Sequence, residues 1–211
     1  MKGYRLTFLR NGKTRANAEG IYIGKTDWPL SDVGRAELEE KYDMHRYPKV
    51  ERVYSSPLTR ALQSAEILFP DREIVICDEM TEMDFGVFEG LSVEQLLELD
   101  SYKNWIKGGL DNAPPNGESL RSMINRVYSG LNLMIMDMMK NDITEAGVIT
   151  HSGIMMNMLS CFGLPKMKPM EFASEPGEGW MIYVTAQLWQ NGGTFEILGR
   201  VPEVAQDELT E

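Results

Sequence analysis

The sequence predicts a three-layer α/β/α protein: a mostly parallel sheet with helices on both faces and an antiparallel C-terminal edge hairpin. Three observations carry this. Short β-prone runs alternate with helix-period segments, the pattern of parallel strands joined by crossover helices. Polar and glycine-bearing segments collect where those strands should end. Two late β-prone runs flank Asn191-Gly192-Gly193, the composition of a hairpin turn.

Each element has its own signal. Tyr4–Leu9 is short, β-prone and bounded by polar residues, hence a strand. Residues 11–30 are polar, with Gly12, Gly20, Gly24 and Pro29, hence loop. Ser31 caps a helix to about Lys41. Val50–Tyr54 is a second strand. Ser56 as N-cap and Pro57 at the first helical position open a helix to Leu68, whose apolar face is Leu58, Leu62, Ala65 and Leu68. Glu73–Cys77 is a third strand and residues 79–91 are loop. Ser92, with Gln95 three residues on, forms a capping box for a helix to Leu99. Residues 111–119 are loop. The long helix from about Ser119 to Asn141 buries Leu120, Met123, Ile124, Val127, Leu131, Met134, Ile135 and Met138. Gly147–Thr150 is a fourth strand and Gly153–Cys161 a helix. Trp180–Leu188 and Thr194–Val201 are the hairpin strands, and the acidic Pro202–Glu211 is expected to fray.

A single domain, residues 1–211, is expected from this length with no repeat or linker. Apolar residues at 43% and charged residues at 25% suit a globular chain. A net charge of −11 opposes binding to nucleic acid or anionic membranes, so any anion site must be a local basic pocket. No signal peptide precedes the first strand, and no apolar run approaches the ~18 residues of a membrane span, so a cytoplasmic protein is expected. The two cysteines, Cys77 and Cys161, read as reduced, buried thiols. With two histidines in all, a histidine-rich metal site is not expected.

In open α/β sheets ligands bind beyond the carboxyl ends of the strands. The first strand delivers Arg10 and Asn11 there, the second Ser55 and Ser56 with Arg60 one turn on, and the fourth His151, Ser152 and Gly153; the loop after the third offers Glu82. Each alone has a bland reading, as surface cation, structural histidine or loop charge. Together they fall on one rim, where two arginines can bind phosphate oxygens and a carboxylic acid can protonate a leaving oxygen. A nucleophile is missing from this set.

These residues sit in motifs that resemble the histidine phosphatase superfamily, in its phosphoglycerate-mutase-like branch. The family's Leu-x-Arg-His-Gly-x-Thr stands here as Phe8-Leu9-Arg10-Asn11-Gly12-Lys13-Thr14, followed by Asn17, Gly24, Asp27, Pro29-Leu30-Ser31 and Gly34. Its Ser-Ser-Pro-Leu-x-Arg-Ala-x-x-Ser-Ala motif is Ser55–Ala65, with Ser64 at the later serine, its Glu-x-x-Phe-Gly-x-x-Glu-Gly is Glu82–Gly90, its Pro-x-Gly-Glu-Ser is Pro115–Ser119, and its late His turn is His151-Ser152-Gly153. The resemblance implies a phosphate clamp of Arg10, Arg60 and Asn17, with His151 and Ser152 contributing donors and Glu82 as general acid, then base. It implies no cofactor and no metal, and a small phosphorylated metabolite as ligand. The motif at Glu82–Gly90 and the short 100–119 region look like α-ribazole and broad-specificity phosphatases more than glycolytic mutases. Substrate-pocket residues are sought in three segments: 22–26, with Ile23 and Gly24; 105–118, with Trp105 and Glu118; and 172–180, read as a candidate lid. A homodimer through the hairpin edge is open.

The family's phosphorylated histidine falls at Asn11, and an amide cannot form a phosphoenzyme. Two explanations compete: an engineered His→Asn substitution, or a natural non-catalytic relative that binds phosphometabolites. Retention of Glu82 and His151 favours the first.

Overall fold

A computed structural model describes residues 2–202. Seven strands form one sheet in the order β3-β2-β4-β1-β6-β7-β5. They are β1 (Gly3–Arg10), β2 (Arg52–Ser55), β3 (Ile74–Ile76), β4 (Glu145–Thr150), β5 (Gly163–Leu164), β6 (Gly179–Thr185) and β7 (Phe195–Val201). The first four are mutually parallel, whereas β6 runs antiparallel to both β1 and β7. The helices are α1 (Arg15–Glu19), α2 (Asp32–Met44), α3 (Thr59–Leu68), α4 (Val93–Leu97), α5 (Asp100–Ile106), α6 (Leu120–Lys140), α7 (Ser152–Phe162) and α8 (Ala186–Gly192).

The period of two along each strand divides the core into two layers. Tyr4, Leu6 and Phe8 of β1 and Ala146 and Val148 of β4 pack with the buried stripes of α6 and α7. Leu9, Val53 and Ile149 point the other way, onto Leu38 of α2 and Ala61, Ala65 and Leu68 of α3. A third cluster of Phe88, Leu96 and Tyr102 lies under the loops before α6. The predicted sandwich and the methionine-rich face of α6 both stand.

Four local expectations change. The helix after β2 begins at Thr59, not at Pro57, because its cap comes from 32 residues upstream: Asp27 accepts from Thr59 N and Thr59 Oγ1, both at 2.7 Å. The late hairpin is two antiparallel strands joined by a helix. Thr185 ends β6 and caps α8, accepting from Leu188 N, and Gly193 closes that helix in the left-handed region at φ 57°. The Gly-Gly signal therefore marks a helix end, not a tight turn. The helix expected to reach Leu99 ends at Leu97, and Leu99 instead caps a separate helix, α5, though the capping box on Ser92 is present as expected. The segment read as loop up to Leu30 contains the short helix α1.

Of the thiols, Cys77 is buried but Cys161 is exposed. The first residues of β7, offered as a dimer edge, are already covered: Phe195 and Glu196 pair with β5. The expected fraying of the C-terminus concerns residues 203–211, which lie outside the described residues. Among the described residues no helix is long and apolar enough to cross a membrane.

Candidate active site

Parallel strands β1, β2 and β4 all end on one rim, and their termini meet at a cavity of about 60 Å³. Its wall takes Arg10 and Asn11 from β1, Arg60 from α3, and His151 and Ser152 from the β4–α7 junction. Asn17 and Ile23 close it from the loop side and Glu82 from below the α7 N-terminus.

Both arginines are aimed by backbone carbonyls. Arg60, 2% exposed, donates from Nη1 to Thr26 O (2.9 Å) and from Nη2 to Gly24 O (2.6 Å). Glu89 holds the same loop by accepting from Lys25 N and Thr26 N. Gly24 is required there, since a Cβ would lie 1.8 Å from Met83 O. Arg10 donates from Nη1 to Ser174 O at 2.8 Å. The 172–179 segment is packed, not a free lid: Phe172, Ser174 and Gly177 are buried, and Gly177 N donates to Arg10 O. Burial lowers the pKa of both guanidinium groups, opposed by nearby Glu82 in each case. Arginine nevertheless stays charged.

Asn11 is buried, with Nδ2 donating to Gly12 O (2.8 Å) and Oδ1 2.9 Å from His151 Nδ1. On its far side the ring places Nε2 2.8 Å from Ser56 Oγ. Burial holds His151 well below its ordinary 6.5, reinforced by Arg60, Arg126 and Arg10, so the imidazole is neutral. Asn17 spends its side-chain oxygen on Thr14 N and Thr14 Oγ1, leaving Nδ2 for a ligand.

Glu82 accepts from Met83 N (2.9 Å) and Gly153 N (3.0 Å). Burial raises its pKa, against the pull of those two donors and of Arg60 and Arg126. A carboxyl so placed is suited to holding a proton for a leaving oxygen. Gly153 makes room for it: a Cβ there would sit 2.6 Å from Glu82 Oε1. Gly153→Ala is expected to displace the carboxyl and cost about 1–3 kcal/mol, read as a lower urea midpoint at constant slope.

Because the folded Glu82 has its pKa above the unfolded one, its protonated form stabilises the fold, fully below the ordinary carboxyl range. That contribution is lost as pH rises through the folded value. Glu82→Gln removes the titration. Its unfolding free energy relative to the parent is expected to climb from about pH 4 upward. Parallel pH profiles of urea unfolding check this, and a pH-independent difference would count against it.

On the other side of Glu82 lies a larger cavity, about 920 Å³, lined by Lys25, Asp78, Asp84, Asp111, Glu118 and Arg126. Glu82 lines both cavities.

The family model of the histidine phosphatase superfamily (branch 1) matches residues 6–184 of this sequence. The chain belongs to that family. An adenosylcobalamin/alpha-ribazole phosphatase from Salmonella typhimurium is 27% identical over 178 residues, covering 82% of this chain and 87% of the relative. In fold, a putative alpha-ribazole-5'-P phosphatase from Escherichia coli superposes with a TM-score of 0.77 at 22% identity, covering 92% of this chain and 94% of that one. A phosphoglycerate mutase from Bacillus anthracis superposes with a TM-score of 0.75 at 16% identity, over 94% and 92% of the two chains.

Within this histidine phosphatase, two of the expected pocket residues, Gly24 and Trp105, line neither cavity. Trp105 packs on Phe85, Phe88 and Tyr102 in the aromatic cluster under the loops. Gly24 contributes a carbonyl to Arg60, and Glu118 reaches the large cavity paired to Arg126. Arg126 itself was not singled out from sequence. It donates to the carbonyls of Glu79, Thr81 and Glu82 and to both oxygens of Glu118, clasping the loop that carries Glu82. Ser64, which the motif over Ser55–Ala65 contains without a role, supports the β1 turn: its hydroxyl accepts from Gly12 N at 2.9 Å.

Proposed function

We propose that this chain is built as a metal-independent phosphomonoester hydrolase. Its reaction would run through a phosphohistidine at position 11, and with Asn11 it holds esters while turning them over poorly. The observation that carries this is the convergence of Arg10, Arg60, neutral His151 and a proton-holding Glu82 on one phosphate-sized cavity. In the reaction the two guanidinium groups neutralise the phosphoryl oxygens, His151 Nδ1–H adds a donor, and Glu82 protonates the departing alcohol. Glu82, then a carboxylate, takes a proton from the water that releases phosphate.

The large cavity favours phosphatase over mutase. Besides Glu82, four carboxylates, Asp78, Asp84, Asp111 and Glu118, face it against Lys25 and Arg126. A phosphoglycerate, anionic at both ends, meets like charge there. A phosphate ester of an uncharged alcohol does not. The ligand is a small phosphorylated metabolite of that character.

The test has two arms. Calorimetric titration should show a phosphomonoester bound by the chain as it stands, and Asn11→His should hydrolyse a phosphomonoester panel in the presence of EDTA. Binding without any gain of turnover would replace this reading with that of a phosphometabolite-binding protein; neither binding nor turnover would overturn both.

A further inference from the structure

We propose that Ser56 is a positioning residue: its hydroxyl donates to His151 Nε2 and holds the ring as the neutral Nδ1–H tautomer, aiming the ring's only N–H at position 11 and the phosphate cavity.

Every link in this chain of hydrogen bonds has a fixed direction. Asn11 Nδ2 is committed as a donor to Gly12 O (2.8 Å), so the oxygen end of the amide faces the histidine. An amide oxygen only accepts, so the proton of the 2.9 Å contact belongs to His151 Nδ1. The ring is 2% exposed and surrounded by Arg10, Arg60 and Arg126, which hold it neutral. With Nδ1 protonated, Nε2 carries a lone pair, and the group 2.8 Å from it is the Ser56 hydroxyl. That hydroxyl oxygen is in turn approached by Leu58 N at 3.4 Å, which leaves the hydroxyl proton for the imidazole.

Apart from that long contact from Leu58 N, the Ser56 hydroxyl serves the imidazole alone. It is fully buried and lies outside the wall of the phosphate cavity, so it acts only through His151. The helix-capping role its position suggests is taken by Asp27, whose carboxylate accepts from Thr59. Ser55 next to it turns its hydroxyl to Ser56 O and is not available to the ring. The arrangement repeats the logic of a base oriented by a third group, with Ser56 behind the imidazole and the ligand in front of it. When a phosphate oxygen replaces Asn11 Oδ1 as acceptor, the N–H is already in place. Without Ser56, Nε2 is a buried acceptor with no donor, and the ring gains by turning or by moving its proton to the wrong nitrogen.

The test uses ¹⁵N-histidine-labelled protein. The chain has two histidines, His45 and His151, and His45→Gln, at an exposed position, assigns the signals. At neutral pH His151 should show a protonated Nδ1 and an unprotonated, hydrogen-bonded Nε2. Ser56→Ala should shift the Nε2 resonance and weaken binding of inorganic phosphate by about tenfold. Ser56→Thr, which keeps the hydroxyl, should restore both. A protonated Nε2 in the parent, or an Nε2 resonance unchanged in Ser56→Ala, overturns the proposal. If Ser56→Ala does not fold, the parent's tautomer and the Ser56→Thr spectrum still decide it. The affinity arm rests on the phosphate-binding reading above. A parent that shows the expected tautomer yet binds no phosphate would refute that reading and leave the role of Ser56 standing.

Discussion

Asn11→His is expected to raise phosphomonoester turnover by on the order of 10³-fold or more, the scale on which loss of a covalent nucleophile is felt. The backbone at this position does not depend on the side chain. Asn11 N donates to Thr150 O at 2.9 Å, and Gly12 N to Ser64 Oγ at 2.9 Å, so the turn is held from β4 and from α3. The amide makes two contacts that a ring would exchange: Nδ2 to Gly12 O and Oδ1 to His151. A neutral imidazole in their place can donate from one nitrogen to the Gly12 carbonyl and present the other, with its lone pair, to phosphorus. Arg10 and Arg60 already border that space. Hydrolysis of a substrate panel with EDTA, and acid-labile labelling of the variant by a phosphate donor, measure the gain. A folded variant with no added turnover on any ester would sink the phosphohistidine reading.

The second large effect is expected at Arg60. Arg60→Ala should abolish measurable phosphate binding, a loss on the order of 10²-fold or more for a charge-assisted, desolvated contact. It should also destabilise the fold, because the carbonyls of Gly24 and Thr26 lose their donors inside the protein. Each orphaned carbonyl costs about 1–3 kcal/mol, partly offset by removal of a desolvated charge. Arg60→Lys separates the two roles. It keeps the charge but cannot span both carbonyls and a phosphate at once. The expected order in phosphate affinity is Arg, then Lys, then Ala, by calorimetry, with urea midpoints falling in the same order. Equal phosphate affinity in Arg60→Ala and the parent would remove Arg60 from the site.

Much of this architecture was legible because it is written locally. The period of two in β1 and β4 and the 3.6 period of α6 set their buried faces without reference to distant partners. The rim rule then brought Arg10, Asn11, Arg60, Glu82 and His151 to one place, and they do line one cavity. What was not legible depends on contacts far apart in sequence. The start of α3 is set by Asp27, and Ser56, read as a cap, turns to His151 instead. Arg126 reads as a charge on an amphipathic helix until the 79–82 loop is seen folded over it. Trp105 could be wall or core on composition alone; its aromatic neighbours, Phe85 and Phe88 from the 82–90 segment and Tyr102 of α5, decide for core. Asn191-Gly192-Gly193 carries one signal with two outcomes, a turn or a helix end, and Thr185 six residues upstream selects the second.

The position of β1 has a consequence for how the chain comes off the ribosome. It is the first strand made, yet it lies between β4 and β6, whose pairing residues begin at Glu145 and Gly179. A nascent chain ending at Lys140 already contains Arg10, Arg60 and Glu82 but offers β1 no neighbour on either side. Its apolar residues and both rows of backbone donors and acceptors stay open until most of the polypeptide has been synthesised. The cavity at the β1 terminus is therefore completed late, and Arg10, made before the rest of its wall, waits for Ser174 before its guanidinium has a fixed direction.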